Sequence, residues 1–206
     1  MDEVRIGAVI LAAGLSTRMG DFKPLLSIGP RTLLGHTISL FKTSGVEDIV
    51  VVKGHRSGEL EQELNRYHCR SVLNENFTDG MFSSVQSGVK ALASAHDAFF
   101  LLPVDIPLVQ QRTVGTLLMA LDQDPSTLVF YPEYRFRRGH PPLIRAELIA
   151  EILSFNGQGG LQTLLRRYHQ HARNILVNDP FILLDIDTQN ELIYLRKQYL
   201  KSSLST

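Results

Sequence analysis

Apolar residues fall in short unbroken runs through the first half of the chain, at Ile6–Leu11, Ile49–Val52, Ser71–Leu73 and Ala98–Leu102. Each run has strand length, and the lack of polar alternation predicts strands covered on both faces. Between the runs, apolar residues recur at about 3.6-residue spacing. This predicts helices over Leu33–Phe41 after Thr32, Glu59–Tyr67 after Gly58, and Val85–Leu92 after Ser83 and Ser84. Strand and helix alternate, so the expected fold is a three-layer α/β/α, Rossmann-like domain with a mostly parallel sheet. Farther on, the pattern predicts a helix over Thr113–Leu121, a strand over Thr127–Tyr131, and a turn-rich stretch at Pro132–Pro142 that reads as a hairpin or a lid. Helices near Ala146–Leu153 and Leu161–Tyr168, strands near Ala172–Val177 and Phe181–Ile186, and a closing helix from Gln189 complete the pattern.

The chain has 206 residues, 44% of them hydrophobic, which suits one domain with a substantial core. Lysine plus arginine and aspartate plus glutamate each number 21, so no net field gathers nucleic acid or an anionic membrane, and neither is an expected partner. One cysteine, Cys69, excludes an internal disulfide framework and any multi-thiolate metal site. The start Met-Asp-Glu-Val-Arg lacks the basic opening of a secretory signal, and Ile6–Ala13 is too short to span a bilayer, so the expected location is the cytoplasm.

The first strand leads into Leu11-Ala-Ala-Gly-Leu-Ser-Thr-Arg-Met-Gly-Asp-Phe-Lys-Pro-Leu-Leu26. Small residues Ala12, Ala13 and Gly14 let backbone N–H groups approach an anion, and Arg18 and Lys23 add full positive charge. The segment reads as a phosphate cradle. It is neither the Gly-x-Gly-x-x-Gly dinucleotide fingerprint nor a Walker loop. Ordinary turn glycines at Gly14 and Gly20, with Arg18 and Lys23 solvated, would give the same spacing.

Two acidic sites follow apolar strands. Asp105 stands between Pro103 and Pro107, just past the Ala98–Leu102 run. Parallel strands exit on one edge, so Asp105 is expected to share a crevice with Arg18 and Lys23. A carboxylate there suits a magnesium ion that also touches phosphates, although a turn former or helix cap reads alike. The stretch Leu184-Asp-Ile-Asp-Thr-Gln-Asn-Glu191 offers Asp187, with Asp185 on the same side of an extended segment as a second candidate. An N-cap role with Thr188 is the alternative for Asp187.

Other loops carry chemistry that choice of substrate requires. Gly80 permits a tight turn, and Ser83 and Ser84 either cap the next helix or bond a ribose or base edge. Arg135, Arg137 and Arg138 precede Gly139-His140-Pro141. Guanidinium groups bind phosphate in a fixed fork, so this cluster could receive an anionic acceptor, and a solvated basic hairpin is the plainer reading. Gly157, Gly159 and Gly160 form a further loop before Leu161.

The first loop resembles the signature of nucleotidyltransferases of the nucleotide-diphospho-sugar transferase fold, Leu-Ala-Ala-Gly-x-Ser-x-Arg-Met-Gly followed by a lysine. Within that superfamily the chain is most similar to the molybdenum cofactor cytidylyltransferases, of the MobA-like NTP transferases, with the guanylyltransferases as near relatives. The resemblance implies that Leu11, Ala12, Ala13, Gly14, Ser16, Arg18, Lys23, Gly80, Ser83 and Ser84 bind the nucleotide. It implies magnesium on the Asp-x-Pro aspartate, Asp105, and on the aspartate before Thr, Asp187. Arg18, Lys23 and Asp105 would carry catalysis. Gly139-His140-Pro141 matches an acceptor-side element, which with Arg138 and Gly160 would bind the acceptor, His140 shaping the site rather than acting as base.

Ser84-Val-Gln-Ser-Gly88 matches the Ser-Val-x-x-Gly of cytidylyl-transferring relatives, and Ala13 stands where guanylyl relatives carry glycine, so CTP is expected over GTP. Gln189 and Asn190 replace the Pro and Glu that relatives carry after Asp-x-Asp-Thr. One nucleotidyltransferase domain is implied, with nucleotide binding up to about residue 110 and acceptor binding beyond. The implied acceptor is molybdopterin, and the implied recipient of the product is a molybdoenzyme. Two other readings remain open at this point: a non-catalytic nucleotide or cofactor chaperone, and a nucleotidyltransferase acting on a sugar phosphate or other small alcohol phosphate.

Overall fold

A computed structural model describes residues 4–15, 19–92 and 96–203, with the side chains of 202 and 203 left aside. The chain runs β1 (Ile6–Leu11), β2 (Ser27–Ile28), β3 (Arg31–Thr32), α1 (Leu33–Thr43), β4 (Asp48–Lys53), α2 (Glu61–Tyr67), β5 (Arg70–Leu73) and α3 (Met81–Leu92). Then come β6 (Ala98–Pro103), α4 (Gln111–Gln123), β7 (Val129–Tyr134), β8 (Arg137–Arg138), β9 (Leu143–Arg145), α5 (Ile149–Ser154), α6 (Gly160–Arg166), β10 (Ala172–Leu176) and α7 (Gln189–Ser203).

The main sheet has the order β10-β7-β9-β6-β1-β4-β5, with β8 paired to β7. β1 sits between β6 and β4, parallel to both, and β5 continues the parallel run. β1 is apolar on both faces because both are covered. Ala8 and Ile10 pack into one buried layer with α1 and α4, while Val9 and Leu11 pack into the other with α3, α5 and α6. α3 lies so close to the sheet that a Cβ on Gly88 would come within 2.3 Å of Val9 Cγ1. The glycine of the Ser-Val-x-x-Gly stretch is therefore a packing requirement.

The structure departs from the sequence pattern in three places. β9 runs antiparallel to both β6 and β7, so the sheet is mixed on that side. Three residues are too few to register as a periodic signal. The strand expected at Phe181–Ile186 is a 3-10 turn at Pro180–Leu183 followed by extended chain. Asp179 accepts a hydrogen bond from Phe181 N at 3.0 Å and Pro180 opens the turn, which is helix-start chemistry. α3 begins at Met81 rather than at Val85, which puts Ser83 and Ser84 inside its first turn.

Asp179 also braces this end of the molecule. It is fully buried, and it accepts from Gln110 N at 2.8 Å and Thr113 Oγ1 at 2.8 Å, which caps α4 from 66 or more residues away. Asp179→Ala would leave three buried donors without their acceptor, at a cost of about 3 kcal/mol. Urea denaturation should show the lowered midpoint, and a midpoint equal to wild type would contradict the bracing role.

Candidate active site

The carboxyl ends of β1, β4, β5 and β6 open on one edge of the sheet, and the loops that leave them are tied together there. Ala12 N donates to Val52 O at 3.0 Å, Val104 N to Leu11 O at 3.1 Å, and Asn74 N to Lys53 O at 2.8 Å. Leu11, Ala12, Ala13 and Gly14 line a cavity of about 330 Å³ together with Lys23, Gly80, Ser84 and Asp105. Ser16 and Arg18, expected in the same cradle, lie outside the described residues.

Three residues expected from separate motifs meet beside this cavity, which Lys23 and Asp105 line. Lys23 Nζ donates to Asp187 Oδ1 at 2.9 Å and to Asp105 Oδ2 at 3.3 Å, across 164 and 82 residues of sequence. Lys23 is held by a 3-10 turn, Lys23–Leu25, that Pro24 stiffens. Asp105 O accepts from Ile186 N at 3.0 Å, which fastens the two acidic segments to each other. Burial pushes the Asp105 carboxyl above the usual range, Lys23 pulls it back, and the charges of Asp185 and Asp187 add to the rise.

Asp187 is not the helix cap. Thr188 and Glu191 form a capping box, in which Glu191 Oε2 accepts from Thr188 N at 2.7 Å and Glu191 N donates to Thr188 Oγ1 at 3.3 Å. Glu191 Oε2 also takes the Asp187 N–H at 2.8 Å, so the backbone is fixed while the Asp187 carboxylate turns to Lys23. Asp185, the second candidate, is exposed and contributes only its charge to Asp105. Gln189, where the sequence departs from the resemblance, reaches Met19 O at 3.2 Å and ties α7 to the end of the glycine-rich loop.

The donor chemistry fits a magnesium ion. Two hard carboxylate oxygens from different segments already converge on one cation, and no group of three or more acidic, histidine or cysteine side chains forms such a site among the described residues. Magnesium commonly takes one or two protein carboxylates and fills its other positions with water and substrate phosphates.

Ser83 and Ser84 part company. Ser83 Oγ donates to Asn76 O and Gly80 O, both at 2.8 Å, and ties the loop to the helix. Ser84 is buried, faces the cavity, and accepts from Asn74 Nδ2 at 2.9 Å. Asn74, buried and placed just past β5, is a site residue that no motif flagged; a buried amide at a strand end was the available signal.

A second cavity of about 500 Å³ adjoins the first and shares Leu11, Met81 and Pro103 with it. Arg138, Gly139, His140 and Gly160, the four expected acceptor-side residues, all line it. They reach it because β9 returns antiparallel beside β6, with Leu101 N donating to Pro142 O at 3.2 Å. Gly139 passes against the 181–186 segment so closely that a Cβ would lie 2.4 Å from Ile182 O. The peptide between His140 and Pro141 is cis.

Among the described residues, His140 Nδ1 is buried without a hydrogen-bond partner, and burial lowers the imidazole pKa from 6.5. Arg135 and Arg138 do not converge. Arg138 lies over the Tyr131 ring at 4.3 Å and bonds Asn174 Oδ1 at 2.7 Å, whereas Arg135 lies over Tyr134. Arg166, at the end of the helix expected near Leu161–Tyr168, and His169, in the turn after it, join Arg138 on the cavity wall, and no motif marked either residue.

The model of the MobA-like NTP transferase domain matches residues 8–172. The chain belongs to the MobA-like NTP transferase family. It is 28% identical to the molybdenum cofactor cytidylyltransferase of Escherichia coli K12, over 94% of this chain and 97% of the relative. It is 29% identical to the nicotine blue oxidoreductase of Paenarthrobacter nicotinovorans, over 91% of this chain and 94% of that one. A nucleotidyl transferase structure from Methanothermobacter superposes with a TM-score of 0.81 at 24% identity, covering 96% of this chain and 99% of the other. The family is one of nucleotidyltransferases acting on small nucleotide substrates, and such enzymes typically use a divalent metal. Among the described residues no helix is long and apolar enough to cross a membrane.

His140 gives the site a signature in acid. Its folded pKa lies below the ordinary value of 6.5, so the unfolded chain binds the proton first and stability is lost as pH falls below that value. The melting temperature should drop between pH 7.5 and 5.5, and the drop should be smaller in His140→Gln. An equal drop in both proteins would contradict the buried neutral imidazole.

Proposed function

We propose that this protein transfers a nucleoside monophosphate from CTP, in preference to GTP, to the terminal phosphate of a phosphorylated acceptor, molybdopterin, with release of pyrophosphate. The observation that carries the reading is the convergence of Lys23, Asp105 and Asp187 beside a cavity that adjoins a second one. A reaction that joins two substrates needs two adjoining pockets with charge control on the phosphate side. The division of labour follows: residues up to about 110 hold the nucleotide and those beyond hold the acceptor, with Asp187 reaching back.

The acceptor phosphate needs no protein base, because a phosphate monoester with a second pKa of about 6 is already largely dianionic near neutrality. It attacks the α-phosphorus in line, the bond to the bridging oxygen breaks, and pyrophosphate leaves with the electron pair. The chain positions and neutralises. The amides of Ala12–Gly14, with Arg18 and Lys23, hold the triphosphate against its own charge. Ser84, fixed by Asn74, faces the nucleotide cavity and orients ribose or base. Arg138, Arg166 and His169 hold an anionic acceptor, and Gly139, His140 and Gly160 shape its pocket. A magnesium ion held by Asp105 and Asp187 would supply charge neutralisation at the α-phosphate and the leaving group.

CTP is favoured by Ala13 in the first loop and by Ser84-Val-Gln-Ser-Gly88, and by the name of the Escherichia coli relative. One relative carries an oxidoreductase name, but the loop after β1 has no dinucleotide fingerprint to favour that chemistry here.

Purified protein incubated with magnesium, molybdopterin and either CTP or GTP should release pyrophosphate and form the cytidine dinucleotide. Lys23→Ala and Asp105→Ala should keep the fold by circular dichroism and lose about 100-fold or more in turnover. A sugar-phosphate product would move the acceptor to another class. Nucleotide binding without pyrophosphate from any triphosphate would make the protein a chaperone.

A further inference from the structure

The Lys23 ammonium stands on the same two carboxylates that the proposed reaction gives to a divalent ion. Its distances are 2.9 Å to Asp187 Oδ1 and 3.3 Å to Asp105 Oδ2, and its side chain is only 11% exposed, so this is a seated contact. A divalent cation bound to both oxygens would lie within a few ångströms of the ammonium, where like charges repel strongly in a partly buried site. The two cannot hold these oxygens together in this arrangement.

The protein side of the metal site is also incomplete by itself. The pair supplies two donors, no third metal-binding side chain completes a cluster among the described residues, and an octahedral ion needs six. A triphosphate changes both conditions. It brings oxygen donors for the ion, and it offers an anion to the ammonium in the adjoining cavity, which Lys23 also lines. The lysine backbone stays fixed in its 3-10 turn, with Leu26 N bonded to Lys23 O at 3.1 Å. The flexible four-carbon stem alone has to swing.

We infer that Lys23 is the resident countercation of the Asp105–Asp187 pair, and that it yields the pair when a polyphosphate draws its ammonium away. The divalent ion therefore enters with the nucleotide and not before it. The inference rests on the reading of the site given above and adds to Lys23 a positioning role distinct from phosphate binding. It also offsets part of the charge of two partly buried carboxylates while the enzyme waits for substrate, which an empty metal site would not do.

Manganese titration followed by electron paramagnetic resonance tests the inference without turnover. Wild-type protein should bind Mn²⁺ weakly alone and about tenfold or more tightly with α,β-methylene CTP, a coupling of ordinary size between linked sites. Inorganic pyrophosphate should give part of the same gain. Lys23→Met should bind Mn²⁺ about tenfold more tightly than wild type in the absence of nucleotide, and gain less when nucleotide is added. Equal Mn²⁺ affinity of wild type with and without nucleotide, or no increase in nucleotide-free Lys23→Met, would overturn the inference. If Lys23→Met does not fold, Lys23→Gln, which removes the charge and keeps a polar head, takes its place in the same titration with the same two outcomes. Asp105→Asn separates the two levels. Loss of Mn²⁺ binding in that variant, with Lys23→Met unchanged from wild type, removes only the lysine's second role. Full Mn²⁺ binding by Asp105→Asn with nucleotide present removes the metal site itself.

Discussion

An ammonium from near the start of the chain, shared by one carboxylate from its middle and one from near its end, organises this molecule. Lys23, Asp105 and Asp187 come from three loops with no local reason to meet. Gathering them out of water costs desolvation, as the raised Asp105 pKa records, and a partly buried ionic cluster persists only where its surroundings hold it in register. The bracing is visible on every side: Ile186 N on Asp105 O, the Glu191 carboxylate on the Asp187 and Thr188 amides, Gln189 on Met19 O, and Asp179 on both the α4 start and the 180–183 turn. Most of these bonds serve no catalytic purpose of their own. They fix the backbones from which three charged side chains reach one point.

The sheet topology explains why a second cavity lies beside that point. In an all-parallel sheet the connection after β7 would leave from the same edge as the others. Here β8 and β9 turn back instead, and β9 inserts antiparallel between β6 and β7. That return carries Arg138, Gly139 and His140 past the end of β6, into a cavity wall that includes Pro103, and the close approach to Ile182 excludes a larger residue at position 139. The residues of the two cavities thus share a wall of Leu11, Met81 and Pro103 without sharing a motif.

Much of this was legible in the sequence because the relevant signals are short and local. The buried strands announce themselves as apolar runs, and Asp105 and Asp187 each stand just beyond one. That Arg138, Gly139, His140 and Gly160 line one cavity was expected only through resemblance, since Gly-His-Pro carries no periodicity. What escaped has physical reasons. β9 is shorter than any periodic signal, and an Asp-Pro start converted an apolar run, Phe181–Ile186, into a turn that keeps Ile182 and Ile186 buried without pairing in the sheet. Asp179 acts across 66 or more residues, where pattern has no reach, and Asn74 and Arg166 belong to no motif. The three arginines before Gly139 read either as one anion site or as a solvated hairpin, and Arg135 and Arg138 go to different neighbours.

The central claim is that the Lys23–Asp105–Asp187 cluster is where a divalent ion and a triphosphate meet. A crystal structure with Mn²⁺ and α,β-methylene CTP tests it most directly through the anomalous signal of the ion. The account predicts one manganese peak within about 2.3 Å of carboxylate oxygens of both Asp105 and Asp187, with Lys23 Nζ moved onto a phosphate oxygen. A manganese peak elsewhere, with Lys23 still bonded to both aspartates and the nucleotide bound, would contradict it.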